Sequence, residues 1–221
     1  MTRKLETIGL ALLMMSVATI CHGTSQRPDK IIYQGENYNL HTNPLEKYFE
    51  KYPDSRPKGS RSTNLWRGYI ATFEILDKYL YVVDIQILKR KDNESESNWT
   101  SVLKEVFPGQ DRVRLDWFDG LLIIPYGEMT RSVYMGYGSL YEHYIILEIG
   151  KGELNKEKRL KGEEYTTFKD KQFEKFKMTK EYKGIANLLM KESKSDSLSI
   201  ESFLKVSVME YSSAILTDND E

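Results

Sequence analysis

Cysteine is all but missing. The single one, Cys21, falls in an N-terminal stretch that reads as a removable leader, so the rest of the chain carries no thiol. That excludes disulfides, thiolate metal sites, cysteine nucleophiles and dithiol redox chemistry, and leaves core burial to hold the fold together. Histidine is nearly as scarce at 3 residues; His22 goes with the leader, and His41 and His143 are too few for a multi-histidine zinc site. Charge of one sign is also lacking: 32 Lys and Arg against 33 Asp and Glu give a net charge of −1, without the basic excess that nucleic-acid binding uses. Glycine-rich phosphate loops are absent, since Gly136 and Gly138 stand alone. Ser139, in Gly-Tyr-Gly-Ser, lacks the Gly-x-Ser-x-Gly elbow of a serine hydrolase. No repeat of solenoid length is present, and no cofactor is expected.

The first 23 residues have the layout of a secretory signal peptide. Arg3 and Lys4 make a basic start, residues 8–20 an apolar run too short for a comfortable span, and small residues precede Thr24. A lipidated Cys21 is the less favoured reading, because the bulky Ile20 immediately before it fits a lipoprotein signal poorly. The expectation is therefore a secreted or periplasmic protein whose residues 24–221 form one domain, with no membrane span once the leader is gone.

Apolar residues at 40% and charged residues at 29% suit a globular domain. The stretch 66–88 is the strongest architectural signal. Tyr69, Ala71, Phe73 and Ile75 alternate with Ile70, Thr72 and Glu74; after Asp77-Lys78 a second run alternates through Tyr79, Tyr81, Val83 and Ile85. Period two with β-branched and aromatic enrichment, around a short polar connection, predicts an antiparallel hairpin. Residues 31–40 predict a shorter hairpin turning at Gly35, and residues 113–126 another turning at Asp119-Gly120. Leu140 to Ile149 adds a strand. Asn43, Pro44 and Glu46 predict the start of an early helix, whose face is Leu45, Tyr48, Phe49 and Tyr52. Trp99, Val102, Leu103, Val106 and Phe107 fit the helical series i, i+3, i+4, i+7, i+8 and predict a mid-chain helix. The final third is predicted to be helical, with a capping box at Thr167 and Asp170 and a further start at Thr179. Residues 53–63 and 89–97 read as exposed loops and 217–221 as a frayed tail. The fold class is α+β, a twisted, mainly antiparallel sheet of about five to seven strands with these helices packed on it.

Tyrosine is what the chain has in plenty: 15 of them, against 3 tryptophans and 8 phenylalanines. Five lie at Tyr126, Tyr134, Tyr137, Tyr141 and Tyr144, interleaved with Glu128, Met129, Arg131 and Met135. Tyr, Arg and Met are enriched at recognition surfaces, where rigid rings give contact area at small entropic cost. The competing reading is that the tyrosines merely cover the sheet rim, packed on Trp117 or Trp66. Trp66 and Arg67, entering the central hairpin, are expected beside this loop with Arg67 stacked on a ring. The candidate binding residues are thus Trp66, Arg67, Tyr126, Glu128, Arg131, Tyr134, Tyr137 and Tyr141, facing a protein or glycan partner of the cell envelope. The alternative is a carbohydrate-active hydrolase using Glu128 or Glu142 with Asp116, a chemistry that needs two carboxyl groups flanking one sugar.

Overall fold

The computed structural model describes residues 24–90, 97–193 and 196–217. The expected leader with Cys21, most of the 89–97 connection and all but the first residue of the 217–221 tail lie outside the described residues. Nine strands form one mixed sheet: β1 Asp29–Tyr33, β2 Glu36–Leu40, β3 Tyr69–Leu76, β4 Tyr79–Arg90, β5 Ser97–Ser101, β6 Val113–Arg114, β7 Gly120–Arg131, β8 Leu140–Gly150 and β9 Glu153–Lys161. The helices are α1 Leu45–Lys51, α2 Leu103–Val106, α3 Gly162–Phe176, α4 Lys180–Ser193, α5 Ser197–Val206 and α6 Val208–Tyr211. The α+β class holds, with more strands than the expected five to seven.

The strands run in the order β2-β1-β3-β4-β9-β8-β7, with β5 and β6 also paired to β4. All pairings are antiparallel except β1 with β3. The two ends of this path meet. The His41 N–H donates to the Ile123 carbonyl at 2.8 Å, while Thr42 Oγ1 donates to Leu121 O and accepts from the Ile123 N–H. The sheet therefore curls around an inner core of Ile31, Leu40, Phe73, Val82, Ile85, Leu122, Ile124, Ile145 and Leu147, with Leu45 and Phe49 of α1 and Leu103 of α2 packed into it. A second core lies on the outer side of β7 and β8, where α3 to α6 cover Leu121, Ile123, Tyr144 and Ile146.

Tight turns fall where the backbone needs positive φ: Gln34-Gly35, Asp77-Lys78 and Lys151-Gly152. Asp119-Gly120 is not among the hairpin turns. Val113 and Arg114 pair with Val82 and Tyr81 of β4, while β7 pairs with β8, so the expected 113–126 hairpin does not form. The Asp119 carboxylate instead accepts the Lys151 N–H at 2.9 Å. The mid-chain helix is also corrected. Ser97 to Ser101 pairs with Gln86 to Arg90 as β5, and only one turn, α2, follows. Ladder bonds to β4 outweigh a helical spacing that five apolar residues satisfy without strong propensity.

Helix begins at Gly162, with α3 to α6, rather than filling the whole last third, because β9 runs on to Lys161. The Lys161 N–H donates to the Glu164 carboxylate at 2.7 Å at the start of α3, so the expected Thr167-Asp170 cap lies inside the helix. Thr179 does cap α4, accepting the Tyr182 N–H, and Asp196 caps α5 through the Ser199 N–H. Among the described residues no helix is long and apolar enough to cross a membrane.

Candidate functional site

The strand β1 begins with a charge pointing inward. Asp29 shares its face with Ile31 and Tyr33 and is fully buried. A buried carboxylate is tolerated only when partnered, and the sequence supplies the partner just before β3. Arg67 is also fully buried; its Nη2 lies 3.2 Å from Asp29 Oδ1 and donates to the Arg27 carbonyl at 2.9 Å. The same Asp29 oxygen accepts the Ala71 N–H at 2.9 Å. Burial pushes the Asp29 carboxyl up to about 6, with the Arg67 charge and the Ala71 N–H pulling the other way. Burial by itself would lower the Arg67 guanidinium; the charge of Asp29, together with Tyr137, Tyr69 and Glu46, outweighs this and raises it.

Tyr137 completes the cluster. Its hydroxyl accepts from Arg67 Nη1 at 3.0 Å and lies 3.0 Å from Asn43 Oδ1, to which it donates. His41 stacks on the Tyr137 ring, centroids 4.7 Å apart, and meets Tyr141 edge-on. Burial pulls the His41 imidazole down to about 4. Arg67 also sits 5.6 Å from the Tyr69 ring, and Tyr69 donates to Glu46 at 2.6 Å, which takes a bidentate pair from Arg56. One chain of polar contacts thus runs from the 132–139 loop through β3 to α1.

This cluster organises the surface above it. Residues 24–27 thread between two loops: the Gln26 N–H donates to Gly136 O at 3.0 Å, Ser25 Oγ to Val133 O, and the Arg27 N–H to Asn64 O. The 53–63 loop is docked as well as exposed. The Ser60 N–H bonds Leu88 O, and Gly59 lies where a Cβ would collide with the Gly68 carbonyl.

The sequence candidates separate into two groups. Arg67 and Tyr137 are anchors: both Arg67 Nη atoms and the Tyr137 hydroxyl are spent inside the protein, and the Tyr137 ring is half-buried. Tyr141 packs on His41, while Tyr126 stacks on His143 and meets Tyr38 edge-on; both are half-buried. Trp66, Glu128, Arg131 and Tyr134 are exposed, and Tyr134 is the most open of the candidate aromatics at 79%. Met129 and Met135 are about half exposed beside it in sequence.

The carboxylates named for hydrolysis do not converge. Glu142 accepts the Glu128 N–H across the kink at Gly127, so these two sit together at one end of β7 and β8. Asp116 lies against Gly152 at the other end, roughly 25 Å away by eight residues of strand rise. Among the described residues no group of three or more metal-ligating side chains could hold an ion.

Sequence reasoning missed Asp29 and Arg27, and read Asn43 and Glu46 only as the cap of α1, which has no side-chain cap: Asn43 instead accepts from Tyr137, and Glu46 from Arg56 and Tyr69. Asp29 left one signal, an acid in register with inward-facing Ile31 and Tyr33. The others act through neighbours far away in the chain, which no local pattern discloses. The chain matches no protein-family model, no curated protein and no solved structure.

Proposed function

We propose that the protein is exported and serves as a non-enzymatic binding protein of a bacterial periplasm or cell surface, recognising a protein or glycan partner through the tyrosine-rich loop. The observation that carries this reading is the contrast within residues 134–137. Tyr134 is 79% exposed and Met135 about half exposed, while Tyr137 is pinned into a buried polar cluster. A solvent-facing aromatic on a fixed support loses little entropy on binding, the property that recognition surfaces share. Export rests on the basic start, apolar run and small residues of positions 1–23. The hydrolase reading draws no support from carboxylates a strand length apart.

The test uses residues 24–221 immobilised against a native envelope extract. Tyr134→Ala should leave the melting temperature unchanged, within the roughly 0.5 kcal/mol typical of surface sites. It should also weaken capture of the principal partner by about 2 kcal/mol or more, as a hot spot does. Unchanged capture by a fully folded Tyr134→Ala would remove the loop from the reading. An intact Met1 in the protein from its host would remove export.

A further inference from the structure

A second surface feature lies on the other side of the 24–27 segment. Arg27, Ser60, Arg61, Ser62, Asn64, Leu65 and Leu88 line a groove of about 280 Å³. Among the described residues no carboxylate lines it. The two arginines are held by their stems and backbone rather than by partners for their charges. Arg27 is fixed by its N–H to Asn64 O and by its carbonyl, which accepts from Arg67; its guanidinium lies 5.8 Å from the centroid of the half-exposed Trp99 ring. Arg61 runs over Gly68, where a Cβ would stand 3.2 Å from Arg61 Cγ, so a side chain at position 68 would crowd it. Neither guanidinium makes an ion pair among the described residues. Ser62 Oγ donates to Asn64 Oδ1 at 2.7 Å, which uses the acceptor of that amide and leaves its NH2 to donate.

We propose that this groove binds a small, sugar-sized ligand through one carboxylate or phosphate group. Two guanidinium forks without an acid partner among the described residues, together with an amide donor, suit a planar or tetrahedral oxyanion. The volume lies just below the usual range for ligand pockets, enough for one ring and its charged substituent. The half-exposed Leu88 offers apolar surface to the rest of the ligand, and the exposed Trp99 ring, against the Arg27 guanidinium, stands close by. The proposal goes beyond the recognition loop and does not depend on it.

The probes are glucuronate, glucose 6-phosphate and glucose, added to residues 24–221 while the Trp99 indole N–H is followed by NMR, its signal assigned with Trp99→Phe. At least one of the two acids should shift that signal saturably, and glucose should not. Arg27→Gln and Arg61→Gln should each weaken the acid by about tenfold, as expected for loss of one charge-assisted contact, and added salt should weaken it too. Both arginines are exposed, so melting temperatures should not move. Lys183→Gln, on the exposed face of α4, should bind as the wild type does. A response to glucuronate alone assigns a carboxylate ligand, and a response to glucose 6-phosphate alone a phosphate ester. Equal shifts with glucose, no saturable shift with either acid, or undiminished affinity in both arginine variants would each overturn the proposal. Tyr134→Ala should bind the acids unchanged, so failure here leaves the loop reading standing, and failure of the loop leaves this one.

Discussion

Along β7 and β8 the outward residues Leu121, Ile123, Tyr144 and Ile146 are as dry as the inward Leu122, Ile124, Ile145 and Leu147, because α3 to α6 lie over them. Along β3 the outward Ile70, Thr72 and Glu74 stay half exposed beside fully buried Tyr69, Ala71 and Phe73. The helix-clad half is fastened by apolar area, at roughly 1.5–3 kcal/mol for each large side chain fully buried. At the rim of the bare half, the segments 24–27 and 132–139 offer little such area. They are fastened by hydrogen bonds to a buried charge pair instead. Apolar burial is tolerant of small shifts and indifferent to pH. A polar clamp is directional, can hold a loop in one position, and fails when a single atom is removed.

The clamp should therefore show the largest single effect. Arg67→Ala leaves Asp29 buried without its counter-charge and strips Tyr137 and the Arg27 carbonyl of a donor. We expect a loss of about 3–5 kcal/mol in urea unfolding. Arg67→Met with Asp29→Leu, which removes both charges, should recover most of it. A double variant as unstable as the single one would mean that the pair does more than neutralise itself.

The two sheet halves should respond differently to paired substitutions of neighbours. On the clad half, Ile123→Ala and Ile124→Ala should each cost about 2–5 kcal/mol, since both faces are dry. On the bare half, Phe73→Ala should cost about 3–5 kcal/mol and Thr72→Ala well under 1 kcal/mol. Equal losses for Phe73 and Thr72 would erase the distinction between the halves.

The polar rim should also be the pH-sensitive part. His41 is kept neutral by burial with a pKa of about 4. Below its unfolded value of about 6.5 the unfolded chain takes up a proton that the fold refuses, so this group removes stability as pH falls from about 6.5 to 4. Asp29 works in the opposite direction: its folded pKa of about 6 lies above the unfolded value, so its contribution is lost as pH rises through the same window. The wild type should thus show a muted slope between these limits. Moving from pH 7 to pH 4, His41→Phe should gain roughly 3 kcal/mol relative to the wild type. Parallel pH curves for the two proteins would place His41 in contact with water.

How far the sequence discloses these features depends on the range of the interaction that sets them. The β3–β4 hairpin is legible because alternation and a two-residue turn are local, and Leu140 to Gly150 likewise. Residues 97–107 misled because Trp99, Val102, Leu103 and Val106 fit a helix by spacing, while the strand partner that decides the matter lies further back, at Leu88 opposite Trp99 and Lys89 opposite Asn98. Asp119-Gly120 carries a turn signal but serves a crossing between β6 and β7, which pair with different strands. Of the candidate site, the tyrosine-rich loop and Trp66-Arg67 were visible as composition. Which tyrosine would be anchor and which free was not, because Tyr137 is anchored by residues 70 and 94 positions away.

The central claim is that the buried polar cluster, not apolar packing, fixes the 24–27 and 132–139 segments. Amide hydrogen exchange in Tyr137→Phe tests it most directly. That change removes one hydroxyl, leaving Arg67 Nη1 and Asn43 without their shared partner at a cost of about 1–3 kcal/mol. The Gln26 and Gly138 amides, bonded to Gly136 O and Met135 O, should then exchange roughly ten- to hundredfold faster, while the Ile146 amide under the helices keeps its wild-type rate. Unchanged exchange at Gln26 and Gly138, or equal acceleration at Ile146, would contradict it.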